Sequence, residues 1–389
     1  MTFQSEQIAY FKQEDCNLED FKKLVSQSQS ASDLKFVSSI EKNIPIYDAS
    51  KLQEQFNDNE MRIALMTEWA RIFREQAGVL VIKNAYADTS VIDEATIIFN
   101  DIIKQEKQEN GQSSDHFASG NNDRIWNSLQ KLCEQSPQTH AQYFANAAIN
   151  TVCESWLGPN YQMTAQINVV HPGGEAQKAH RDYHLGFATP EISAQYPSHV
   201  HDLSPVLTLQ GGVAHVDMSL ESGPTKLLPF SQLYRAGYAA WRKEDFRNYF
   251  EENYVQLPLN KGDALFFSPA LFHSAGANTS NDVPRMVNLL QVSSAFGRAM
   301  ESVDRVKMCK LTYPYLLKNI DSMGQEELRS TLAATAEGYS FPTNLDLDPP
   351  IGGLAPESQQ ALMLRALNNK WTTVKFEAAL DEQSRKKIA

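Results

Sequence analysis

KGDALFFSPALFHSAGANTSNDVPRMVNLLQVSS, residues 261–294, decides the fold. Gly262 and Asp263 make a turn, ALFFSP (264–269) has the short apolar run of a buried strand, and His273 enters a loop of Gly, Ala, Asn and Ser. Twelve residues after His273, Arg285 opens a second strand-like run, MVNLLQVSS (286–294). Arg285, Val287, Leu289, Gln291 and Ser293 alternate along it and share one face. An inward-facing guanidinium on such a face can hold a carboxylate through two parallel N–H···O bonds, a geometry that an ammonium cannot match.

Working outward, HPGGEAQKAHRDYHLGF (171–187) carries His180 and Asp182 two residues apart, so on a strand their side chains point the same way. Two neutral imidazoles and one carboxylate on one face of a metal leave the other face open for substrate and dioxygen, which is the donor set of non-haem iron(II) oxygenases. His-x-Asp alone is a weak signal. His-x-Asp, a later His on another strand (His273) and then Arg285 make a specific combination, asking for iron and an acidic cosubstrate. His184 has the parity of His180 and Asp182 and is a candidate for substrate contact. His171 precedes Pro172-Gly173-Gly174 in a turn, His199 and His201 follow Tyr196-Pro197, and His215 alternates with Asp217 without a Gly/Asn-rich segment to support it. These four read as structural or peripheral.

Before that segment, YQMTAQINVV (161–170) puts Gln162, Thr164, Gln166 and Asn168 on one face and Met163, Ala165, Ile167 and Val169 on the other. The polar face either meets solvent or lines a barrel interior. With VLTLQGGVAHVDM (206–218) and turns such as HPGGE, ESGP and NKGDA, short strands fill 159–298, the pattern of an all-β sandwich or jelly roll. Around this β core the chain reads as one integrated unit. Residues 1–57 are a polar N-terminal extension with short helical pieces, 58–158 a helical segment packed on the barrel, and 299–389 a C-terminal helical extension. Within 58–158, Met61, Leu65, Trp69, Ile72 and Phe73 mark a helix ending near Gly78, and VLVIKNA (79–85) reads as a strand. A helix starts at Asp88-Thr89-Ser90, residues 110–124 form a candidate lid loop with His116, Arg124 and Trp126 in or beside it, and a further helix spans about 138–156.

The stretch 161–298 resembles the phytanoyl-CoA dioxygenase family of iron(II)/2-oxoglutarate-dependent oxygenases. The matching pieces are HRD (180–182), ESGPTKLLPFSQ (221–232), KGDALFFSP (261–269), HSAGANTS (273–280) and Arg285, with Pro229-Phe230-Ser231-Gln232 standing where the family has Pro-Gly-Ser-His. The resemblance implies an α+β fold with a double-stranded β-helix (jelly-roll, cupin-like) core flanked by N- and C-terminal helices. It implies Fe(2+) held by His180, Asp182 and His273, 2-oxoglutarate held through its distal carboxylate by Arg285, and O2 as cosubstrate. Gln166 and Asn168 become candidates for the cosubstrate, and His184, Lys178 and Gln291 for the substrate. The implied reaction releases succinate and CO2 and hydroxylates an unactivated C–H bond of a small molecule. Desaturation, ring formation and oxidative bond cleavage share the same ligands, whereas a non-catalytic barrel would show a broken set. Asp182, where halogenases of this superfamily have a small residue, favours hydroxylation. Lys178 and Arg181 beside the ligands suggest an anionic substrate or simply solvated charge. The ending KKIA lacks a peroxisomal tripeptide, so an acyl-CoA substrate is not favoured.

Composition agrees with a folded enzyme. Of 389 residues, 42% are hydrophobic and 21% charged, and 35 Lys plus Arg against 47 Asp plus Glu give a net charge of −12. Without a basic surplus to displace counterions, neither nucleic acid nor an anionic membrane is an expected partner. No apolar run is long enough to span a bilayer, and Cys16, Cys133, Cys153 and Cys309 are scattered without CxxC spacing. A cytoplasmic location is the expectation from these features.

Overall fold

The computed structural model describes residues 9–110 and 121–388. Ten strands are present among them: β1 (Ser39–Glu41), β2 (Ile44–Asp48), β3 (Val79–Lys83), β4 (Asn122–Ile125), β5 (Gln162–Val170), β6 (Thr208–Ala214), β7 (Lys226–Leu228), β8 (Ala264–Phe267), β9 (Phe272–Ser274) and β10 (Arg285–Ser293). Eight form a major sheet in the order β1-β2-β3-β8-β6-β10-β5-β4, and β7 pairs with β9 in a minor sheet. All pairings are antiparallel except β2 with β3. Single bridges extend the minor layer, joining His180 to His273, Leu227 to Val255 and Met218 to Leu259. The two layers face each other across a cavity, which is the jelly-roll arrangement, with helices on its flanks.

The local chemistry explains the flanks. In helix Asn59–Glu75 the Asp58 side chain accepts from Met61 N, and Leu65, Trp69, Ile72 and Phe73 are buried on one stripe. Gly78, at φ +76°, closes the helix end by donating to Ile72 O at 2.9 Å. A Cβ at Gly78 would collide with the carboxamide of Gln232, whose Nε2 donates to Gln76 O at 2.8 Å. Gln232, one of the two departures from the family pattern at 229–232, therefore secures a helix terminus. The helix expected at about 138–156 is two helices instead, Pro137–Phe144 and Ala147–Leu157, preceded by a separate helix Ser128–Gln135. Ser136 caps Pro137–Phe144, and Asn146 caps Ala147–Leu157 and so interrupts the expected run with its own side chain.

Two further differences concern strands. The N-terminal extension supplies β1 and β2 to the major sheet in addition to helical pieces. The end of the expected lid loop is β4, whose Arg124 pairs in register with Asn168; His116 lies outside the described residues. Four C-terminal helices, Arg305–Asn319, Gln325–Thr335, Gln359–Asn368 and Thr373–Lys386, make a second apolar cluster around Tyr313, Met363 and Phe376. No helix among the described residues is long and apolar enough to cross a membrane.

Candidate active site

His180, Asp182 and His273 bring one nitrogen or oxygen donor each to a common point, all within 4.8 Å of one another. Backbone pairing sets this up. His180 N donates to His273 O at 3.0 Å, His273 N to His180 O at 3.2 Å, and Asp182 N to Pro269 O at 3.0 Å. Each imidazole Nδ1 lies 2.8 Å from a carbonyl oxygen, that of Lys178 for His180 and of Leu271 for His273. A carbonyl can only accept, so Nδ1 carries the proton and each Nε2 presents a lone pair. His180 Nε2 is 3.7 Å from Asp182 Oδ1, and His273 Nε2 is 3.3 Å from Asp182 Oδ2. Burial pushes the His180 imidazolium pKa down, which keeps the ring neutral. Burial alone would raise the Asp182 carboxyl, but the charge that His180 and His273 carry when protonated, together with the Gln210 amide, outweighs it and holds the carboxyl well below the usual carboxylate range. Two neutral imidazoles and one ionised carboxylate suit a non-haem iron(II) ion.

The register of the major sheet determines what surrounds them. On β10, Val287, Leu289 and Gln291 lie opposite Asn168, Gln166 and Thr164 of β5 and opposite Ala214, Gly212 and Gln210 of β6. This shared face lines a cavity of about 910 Å³ that also reaches His180, Asp182 and His273. Of the two alternatives for the polar face of β5, the barrel interior holds: Gln166 and Asn168 are buried there.

Arg285 is buried in the same cavity wall, where its Nη1 donates to Gly276 O at 3.3 Å. Burial pushes its pKa down to about 10. It forms no ion pair with any described residue, and the cavity around it carries the apolar Leu227, Leu257 and Leu259. A buried cation lacking a carboxylate neighbour, in a partly apolar chamber shared with three metal-type donors, fits a small dicarboxylate such as 2-oxoglutarate. Gln166 Nε2 approaches Met300 Sδ at 3.7 Å, the side chain also hydrogen-bonds the Glu301 carboxyl, and Oε1 is buried without a partner.

The other candidates separate. Lys178 is exposed and lines the cavity, while Gln291 accepts from Tyr183 OH at 2.5 Å. His184 does not share the face of Asp182. Tyr183 and His184 take left-handed φ values of 64° and 41°, the chain turns, and His184 Nδ1 instead meets Ser204 Oγ at 3.0 Å outside the cavity lining. Arg181 is no anion receptor either. Its guanidinium lies between the rings of Tyr238 and Phe272, 5.2 Å from each, and donates to Ser231 O and Tyr234 O at 2.6 and 2.9 Å. Gly237 is needed beside it, since any Cβ there would strike the guanidinium. Arg181→Met should therefore strand two buried carbonyls and cost about 2–3 kcal/mol, read as a lower Tm; an unchanged Tm would show that this clamp is not structural. His171 pairs with Asp123 at 2.7 Å, His201 with Ser193 O at 3.1 Å, and His215 with the hydroxyls of Thr96 and Tyr143 at 2.8 and 2.9 Å.

Gln210 is the site residue that sequence reasoning missed. Its Nε2 donates to Asp182 Oδ2 at 2.5 Å. The available signal was an amide alternating with Gly212 and Ala214 on a strand-like run.

Comparisons with known proteins add to this geometry. The family model "Phytanoyl-CoA dioxygenase (PhyH)" matches residues 74–287, over half of the chain. "Dioxygenase andF" of Emericella variicolor is 24% identical over 218 residues, 54% of this chain and 68% of that protein. "Dioxygenase trt7" of Aspergillus terreus is 25% identical over 158 residues, 41% of this chain and 49% of that protein, so the match spans about half of its length. Among solved structures, the non-heme alpha ketoglutarate dependent carbocyclase SnoK from nogalamycin biosynthesis superposes with a TM-score of 0.44 at 21% identity, covering 60% of this chain and 86% of that one. The epimerase SnoN gives 0.42 at 18% identity, covering 60% and 84%.

Proposed function

The chain belongs to the phytanoyl-CoA dioxygenase family, and on that premise we propose that it hydroxylates an unactivated C–H bond of a small-molecule substrate. It is an iron- and 2-oxoglutarate-dependent oxygenase. The observation that carries the reading is the shared cavity: three convergent donors of iron(II) type and one buried, ion-pair-free guanidinium on the same inner wall.

Bound iron would supply dioxygen activation and, with the oxidative decarboxylation of 2-oxoglutarate to succinate and CO2, the oxidising power. The protein's own part is placement. His180 and His273 offer Nε2 because carbonyls hold their Nδ1 protons, and Asp182 offers a carboxylate that accepts from the Gln210 amide. Arg285 takes the distal carboxylate of the cosubstrate, with Gln166 and Asn168 as further polar contacts. A cavity of about 910 Å³ leaves room for a drug-sized substrate beside the cosubstrate. Gln291 and Lys178, at different depths of the wall, are the substrate contacts. Buried, unpaired cysteines support a cytoplasmic setting.

The test is a screen for substrate-stimulated succinate release, followed by product mass. A product heavier by one oxygen atom is expected. A product lighter by two hydrogens would replace hydroxylation with desaturation or ring closure.

A further inference from the structure

We propose that Gln210 is a positioning residue that holds Asp182 to one-point metal coordination, an inference resting on the triad assignment above. Gln210 sits on β6, between β8 and β10, opposite Phe267 on one side and Gln291 on the other, and is 4% exposed. Pinned in mid-sheet, its side chain has little freedom to swing. Its Nε2 donates to Asp182 Oδ2 at 2.5 Å. Apart from the two imidazoles, this is the only side-chain partner of that carboxylate among the described residues.

The orientation of the amide follows from charge. Turned over, it would set its carbonyl oxygen against an ionised carboxylate, so the donor faces Asp182 and Oε1 is left buried without a partner. Leaving a buried acceptor unsatisfied costs about 1–3 kcal/mol, and the bond to the carboxylate offsets it. A carboxylate with both oxygens free can chelate a metal and occupy a position needed by cosubstrate or dioxygen. A hydrogen bond to Oδ2 draws on that oxygen's lone pairs and leaves Oδ1 as the ligand. The chain turns sharply at Tyr183, just past Asp182, so backbone pairing alone does not set the carboxylate's rotation.

Cobalt(II) titration of the metal-free protein tests this without turnover. Gln210→Met keeps the length and removes the donor. Cobalt should bind roughly 10- to 100-fold more weakly, with an altered visible ligand-field spectrum and an unchanged Tm of the metal-free protein. Wild-type affinity together with a wild-type spectrum in folded Gln210→Met would overturn the proposal. Should that variant not fold, Gln210→Asn, which retracts the amide by one methylene, carries the same expectation and the same contrary outcome. If the wild-type protein itself bound no cobalt, the triad assignment would fall, and this inference with it.

Discussion

Asp182→Ala is expected to abolish 2-oxoglutarate turnover, lowering it by more than about 100-fold, the upper end of what losing a mere supporting partner costs a metal site. Asp182 is the one anionic donor of the three, and its charge is what two adjacent neutral imidazoles cannot replace. The fold should survive. Asp182 is held in the barrel by its backbone bond to Pro269, which Ala retains, and removing a carboxylate from a largely buried spot sheds a desolvation cost. Circular dichroism and metal content separate the two effects: native spectrum, iron lost. His180→Ala and His273→Ala should behave alike, since the backbone bridge between these residues does not depend on either ring. Near-normal turnover in a folded Asp182→Ala would remove the carboxylate from the metal's ligand set.

Arg285→Ala should spare the metal and strike the cosubstrate. Truncating one member of a buried, hydrogen-bonded charge pair costs about 2–5 kcal/mol, which raises the half-saturating 2-oxoglutarate concentration roughly 30- to 5,000-fold. Arg285→Lys should recover only part of this, because an ammonium cannot make the paired N–H···O contact. Iron binding should match wild type in both, as Arg285 is not among the clustered donors. The variants should be no less stable without cosubstrate, because in its absence Arg285 is a buried cation with one long bond to Gly276 O, at 3.3 Å. Unchanged saturation in Arg285→Ala would place the cosubstrate carboxylate elsewhere in the cavity.

The core of this account was legible in the sequence because strand alternation and short spacings are local properties. β5, β8 and β10 fall on the runs that read as strands, and His180, Asp182, His273 and Arg285 line one cavity, the grouping that the family resemblance implied. Parity tells which residues share a face but not what the face meets. Only the register of Gln166 with Leu289, and of Leu289 with Gly212, turned the polar side of β5 inward. The misplacement of His184 has the same root. Alternation was carried past Asp182, yet Tyr183 and His184 adopt left-handed backbone with no Gly or Asn to announce it. β4 was hidden because its GNNDRI surroundings have turn composition, and its strand form comes from pairing with β5, a tertiary effect. β1 and β2 escaped for a similar reason, being three and five residues long with Pro45 in the second. Gln210 was missed because its partner Asp182 lies 28 residues earlier, on the opposite layer.

The central claim is that one cavity holds iron(II) and 2-oxoglutarate together. Its most direct test is anaerobic addition of Fe(II) and then 2-oxoglutarate to the metal-free protein, followed by visible absorption. A weak charge-transfer band of iron-chelated 2-oxoacid is the predicted result, lost in Asp182→Ala and shifted to higher cosubstrate concentration in Arg285→Ala. A folded, iron-loaded wild-type protein that shows no such band at saturating 2-oxoglutarate would contradict the account.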